Sequence, residues 1–187
     1  MKRFTLFITL FTAIVMTTTS KHTYAQSTPS GRVLVAYFSA TGTTRAAAQQ
    51  VVKATGGEIF EIIPQTPYTA ADLDWTDKKS RSSVEMNDPT SRPAIANLKS
   101  DIADYDTIYL GYPIWWYVAP TIINTFVEAH NLKGKTVVCF ATSGGSPIGP
   151  AVKALRKSYP DINWLDGALL NRTSDAAVSK WVNSLNK

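Results

Sequence analysis

Val33-Leu-Val-Ala-Tyr-Phe-Ser-Ala-Thr-Gly-Thr-Thr44 decides the fold. Its first six residues are an unbroken apolar run, the pattern of a strand covered on both faces rather than one alternating between core and solvent. The hydroxyl-rich turn Ser39–Thr44 follows. Thr44–Thr55 is rich in alanine, free of glycine and proline, and predicts a helix that Gly56-Gly57 stops. A buried strand that passes through a short turn into a helix is the first half of a strand–helix–strand crossover.

The alternation continues along the chain. Glu58–Ile63 predicts a second strand halted by Pro64, Asp106–Gly111 a third, Lys135–Thr142 a fourth, and Ile162–Leu165 a fifth that extends toward Leu170. Helices are expected at Ala119–His130, Ile148–Tyr159 and Ser174–Leu185. Residues 64–95 are the least regular part. There Ala70–Lys79 predicts a helix with Thr69 as its N-cap, and Asn87–Pro93 reads as turns. Ala94–Asp101 predicts a further short helix. An irregular stretch of about 30 residues is either functional or a mobile excursion. Five strands separated by helical crossovers give an α/β domain, a three-layer sandwich whose five-stranded parallel sheet carries helices on both faces. The 187 residues, 44% apolar and 18% charged, suffice for one such domain.

Ligands of these sheets bind beyond the carboxyl ends of the strands, near the switch in strand order. The loops after strands one, three and four therefore carry the function. In the first, Ser39, Thr41, Thr43 and Thr44 offer hydroxyls, Gly42 lets backbone approach closely, and the helix start offers free N–H groups. The turn lacks lysine and the pattern of a nucleotide hydrolase, which suits a terminal monophosphate without Mg²⁺; plain helix capping is the alternative. The second loop, Gly111-Tyr-Pro-Ile-Trp-Trp-Tyr117, places two tryptophans and two tyrosines at a strand end. Pro113, Ile114, Trp115 and Trp116 suit a plate for a flat heterocycle, with Trp115 the first candidate for stacking, or else they cover the domain's edge. The third loop supplies Thr142, Ser143, Gly144 and Gly145, small residues whose N–H groups suit a ring's carbonyl oxygens, or a simple glycine turn.

Ser39-x-Thr41-Gly42-x-Thr44 directly after Val33–Phe38, together with Tyr112–Trp116, resembles the flavodoxin family over about residues 32 to 187. The resemblance implies a flavodoxin-like strand order of 2-1-3-4-5 and FMN as cofactor. Its phosphate would lie on the first loop, its ring beside the second, and the ring's polar edge at the third. Two departures stand out. Trp116 and Tyr117 follow Trp115 where familiar flavodoxins often have a glycine whose peptide can turn toward the reduced flavin. Residues 142–147 hold no aromatic to cover the outer flavin face, which is left to residues 64–95 or to solvent. Three roles follow: an electron carrier between protein partners, an FMN-dependent reductase of quinones or nitro-compounds, or a flavin-binding domain without turnover. The partner is then a redox protein or a small quinone-like acceptor. No general acid or base is indicated.

Lys2-Arg3, the uncharged run Phe4–Met16 and the polar stretch ending at Ala25 read as a signal peptide over residues 1–25, with 26–31 a linker. The apolar run is shorter than the roughly 20 residues a membrane span needs, so export to the periplasm or beyond, without a span after processing, is expected. The leader holds three of the 19 basic residues and no acid, leaving 16 basic against 14 acidic, a net charge of +2. Without a basic run carrying interleaved aromatics, nucleic acid is not an expected partner. The sole cysteine, Cys139, lies in the fourth strand and reads as core. His130 reads as a helix-terminal residue, and Arg92 and Asp106 as structural.

Overall fold

The computed structural model describes residues 31–185; the expected signal peptide and residues 26–30 of the expected linker lie outside the described residues. Strands β1 (Val33–Tyr37), β2 (Glu58–Glu61), β3 (Thr107–Pro113), β4 (Thr136–Thr142) and β5 (Asn163–Leu169) form one parallel sheet in the order β2-β1-β3-β4-β5. The helices are α1 (Thr43–Thr55), α2 (Arg81–Asn87), α3 (Thr121–Ala129), α4 (Gly149–Ser158) and α5 (Asp175–Ser184).

The unbroken apolar run of β1 is explained by its position in the sheet. Val33, Val35 and Tyr37 face α1 and α5, packing with Ala47, Ala48, Val51, Val178 and Val182. Leu34, Ala36 and Phe38 face the opposite layer, with Ile122, Ile123 and Phe126 of α3 and Ala151, Val152 and Leu155 of α4. Both faces of β3 and β4 are buried in the same way, so hydrophobic burial drives two cores instead of one. Cys139 lies wholly inside the α3/α4 core, where burial pushes its thiol up to about 12, and the core reading of this residue holds.

Gly111 aligns with Tyr37 on one side and Phe140 on the other. A Cβ at this position would lie 2.2 Å from the Phe140 ring, so the glycine is what lets that ring lie across β3. The strand ends are level beyond this point, with Pro113 opposite Thr142. The loops after β1, β3 and β4 thus emerge side by side.

Two expected helices are absent. Thr69 does begin a helix-like cap, its N–H and hydroxyl donating to Asp72 Oδ2 at 2.8 and 2.7 Å, but residues 70–79 continue as turns. Asp74 takes the Thr76 N–H and hydroxyl, and Asp77 takes the Lys79 N–H at 2.8 Å. These local side-chain bonds compete with the helical ladder and win. The helix forms later, as α2, where the Ser80 side chain accepts from the Ser83 N–H. Ala94–Asp101 is also not helical. Ile95 bridges antiparallel to Pro64, the Ala96 N–H donates to Ile63 O at 2.7 Å, and the Asn97 side chain accepts from the Ile63 N–H and donates to Glu61 O. This segment pairs with residues 63–65, the continuation of the chain just past β2, and that pairing outweighs local propensity.

Candidate functional site

The turn after β1 is built as an anion cradle. Gly42 is the N-cap of α1 with φ of 88°, a left-handed conformation that glycine adopts without penalty, and no side chain caps the helix. The first bond of the ladder runs from the Ala46 N–H to Gly42 O at 3.1 Å, so the N–H groups of Thr43, Thr44 and Arg45 precede it. The hydroxyls of Thr41 and Thr43 are exposed, 3.4 Å from each other. Ser39 Oγ accepts from the Gly42 N–H at 3.1 Å and shapes the turn. Plain capping therefore does not account for these hydroxyls. Thr44 differs from its neighbours: it is buried, and its hydroxyl pairs with that of Thr142 at 2.9 Å. It offers an anion its backbone N–H alone.

The loop after β3 is a two-residue hairpin. Trp115 and Val118 exchange N–H···O bonds of 3.0 Å in both directions, and the two residues between them, Trp116 and Tyr117, have φ of 45° and 69°. Positive φ at both central positions marks a tight β-hairpin turn usually given to asparagine and glycine. Bulky residues there cost on the order of 1–3 kcal/mol each, a strain that clusters at functional sites. The turn holds Trp116 and Tyr117 outward, 43% and 64% exposed. Trp115 is packed edge-on against Phe38 and Tyr68, with centroids 5.8 and 5.4 Å away, while Pro113 and Ile114 are half-buried at the strand end. Of the two tryptophans, Trp116 presents the more open ring.

The loop after β4 has fewer free donors than its composition suggests. The Ser143 N–H donates to Asn171 Oδ1 at 2.8 Å, and the Asn171 side chain returns a bond to Ser143 O at 2.7 Å. Ser143 Oγ accepts from the N–H groups of Gly145 and Ser146 at 3.1 and 2.7 Å. Of residues 143–146, Gly144 alone keeps its N–H outside these bonds. Gly144 and Gly145 are exposed, and nothing lies within 4 Å of where a Cβ would sit on either.

Several participants escape a reading of the sequence. Asn171 fixes the third loop from beyond β5, and Tyr68, Arg81 and Glu85 fasten the 64–95 excursion to the site. The Arg81–Glu85 pair is an ordinary i,i+4 contact within α2, but the bonds from Asn171 to Ser143 and from Tyr68 to Glu85 cross 28 and 17 residues, with no local motif to mark them. Arg45, in the first turn of α1, donates to Glu61 Oε1 at 2.6 Å and to the Tyr37 hydroxyl at 3.3 Å. Burial first, then the neighbouring Glu61, raise the Tyr37 phenol. Arg92 and His130 are structural, as expected. Arg92 makes two 2.8 Å bonds to Glu128. His130 ends α3, with Nδ1 2.7 Å from Phe126 O and Nε2 accepting the Lys99 N–H at 3.0 Å.

The flavodoxin family model matches residues 32–185, and the chain belongs to this family of FMN-binding proteins. A crystal structure from Bacteroides eggerthii, assigned as a flavoprotein, is 58% identical, with a TM-score of 0.82 over 84% of this chain and 99% of that one. Another so assigned, from Bacteroides uniformis, is 57% identical with a TM-score of 0.80, over 81% of this chain and 97% of that one. A Lactobacillus acidophilus flavoprotein solved in complex with FMN shares the fold at 24% identity and a TM-score of 0.64, covering 81% and 99% of the two chains. No curated protein matches the sequence. The residues present fit the family's cofactor: an uncapped helix start flanked by exposed hydroxyls for a phosphate, and an open indole one strand away for a flat ring.

Proposed function

We propose that this chain is a flavodoxin-type redox protein that holds FMN across the loops after β1, β3 and β4 and carries electrons between partners. The observation behind this reading is the juxtaposition, at the β1/β3 switch in strand order, of a helix start without a side-chain cap and a strained hairpin holding aromatic rings outward. Thr41, Thr43 and the first N–H groups of α1 would hold the phosphate, and Trp116, with Trp115 behind it, would meet the ring. The third loop would meet the ring's polar edge through Gly144. FMN supplies the redox chemistry when bound, and the chain's part is to hold, orient and shield it.

One feature favours a second reading, an FMN-dependent reductase acting on a small quinone or nitro-compound. Residues 33–44, 107–127 and 136–152 contain no charged side chain, so the strand ends and loops that form the site offer little to steer a charged protein partner. The FMN-loaded protein is mixed with NADH or NADPH and a benzoquinone. A carrier is reduced by the nicotinamides slowly and by a low-potential protein donor quickly. Prompt nicotinamide oxidation with sustained quinone turnover would displace the carrier role in favour of the reductase.

A further inference from the structure

Tyr68 is where the 64–95 excursion meets both halves of the site. Its ring packs against Phe38 at 5.7 Å between centroids and an interplanar angle of 58°, and against Trp115 at 5.4 Å and 79°. Phe38 and Trp115 also meet each other at 5.8 Å and 85°, so three rings close a triangle. Phe38 is buried and directly precedes Ser39, the first residue of the anion cradle. Trp115 opens the aromatic hairpin. A shift of either loop therefore moves a ring that touches Tyr68, and close packing leaves little room to absorb the shift.

The excursion holds this ring firmly. The Tyr68 hydroxyl donates to Glu85 Oε2 at 2.5 Å, and Arg81 Nε donates to Glu85 Oε1 at 2.6 Å. The Arg81 guanidinium lies 3.9 Å from the Tyr68 ring centre and donates to Thr66 O at 2.7 Å. The Arg81 and Glu85 side chains are 23% and 13% exposed, so their ion pair is shielded from solvent. Burial and the adjoining Glu85 carboxylate raise the phenol well above its ordinary pKa, keeping it a donor. The fastening runs from α2 through three side chains to the seam between the two loops.

We propose that Tyr68 is a positioning residue that couples the anion cradle to the aromatic hairpin, so that filling one half of the site tightens the other. The inference rests on the FMN reading and adds to it a role for the excursion. Coupling between two half-sites is reciprocal and is measurable with two separate ligands, inorganic phosphate for the cradle and riboflavin for the hairpin. Riboflavin is titrated into the cofactor-free protein by flavin fluorescence, with and without saturating inorganic phosphate. In the wild type, phosphate is expected to lower the riboflavin Kd about fivefold or more. In Tyr68→Ala the ratio falls to about one, while Tyr68→Phe, which keeps the ring contacts, retains most of it. Tyr68→Leu, which restores apolar volume without the ring, carries the test if the alanine variant does not fold, and its ratio should also approach one. A wild-type ratio of one in a protein that binds FMN, or an undiminished ratio in the folded alanine or leucine variant, overturns the coupling. A wild type that binds no FMN instead overturns the proposed function beneath it.

Discussion

The buried Thr44–Thr142 pair joins the first residues of α1 to the end of β4 with one hydrogen bond of 2.9 Å. Replacing one threonine by valine leaves the other hydroxyl buried without its partner, at a cost of about 1–3 kcal/mol. Thr44→Val is therefore expected to lower the thermal midpoint, and Thr44→Val combined with Thr142→Val to recover part of the loss, because no orphan then remains; calorimetry on the three variants checks both. At this scale the sequence was only partly legible. Ser39, Thr41, Thr43 and Thr44 form one hydroxyl-rich pattern, and nothing local separates the two exposed threonines from the one whose hydroxyl is spent on residue 142. Trp115 and Trp116 are likewise adjacent and chemically alike. The hairpin bonds and the ring of Tyr68 divide them, turning one inward and the other out.

Among elements, the edge strand β2 shows how tertiary contacts override local preference. The chain just past its carboxyl end is paired with residues 94–97, whose sequence predicts helix, and its amino end is locked by charge. Glu58 accepts from Lys99 at 2.7 Å and from the Tyr105 hydroxyl at 2.5 Å, and Lys99 also lies 2.6 Å from Asp101. The Lys99 bonds are the main cause holding the carboxyls of Glu58 and Asp101 below their ordinary range. A depressed folded pKa gives stability that is fully present above the ordinary carboxylate value of about 4 and is lost as the pH falls through the folded value. The contribution of these two exposed carboxylates, modest because solvent screens it, is thus expected to be present at neutral pH and to fade below about pH 4. Glu58→Gln should lower stability at pH 7 while converging with the wild type at the acid end, as followed by urea titrations at several pH values. Such contacts are invisible to periodicity, whereas β1, β3 and β4, buried on both faces, are plain in the sequence as continuous apolar runs.

For the whole molecule, the α/β class and the two helical layers follow from alternating strand and helix patterns, and the 2-1-3-4-5 order from family resemblance; all are found as expected. The site's location was legible because parallel topology brings loops distant in sequence to one end of the sheet. Its finer donors were not, because Asn171 and the Ser143 hydroxyl consume N–H groups that composition alone leaves free. The central claim is that the start of α1 and the aromatic hairpin hold FMN together. The most direct measurement is the absorbance spectrum of the purified protein after mixing with excess FMN and desalting. The wild type should keep its flavin bands. Thr41→Glu combined with Thr43→Glu, at two exposed positions, should weaken FMN binding by roughly 100-fold or more, as expected from loss of about 3 kcal/mol, with the thermal midpoint little changed. A wild-type protein that emerges colourless with unquenched tryptophan fluorescence, or a double variant that keeps its flavin, would contradict the claim.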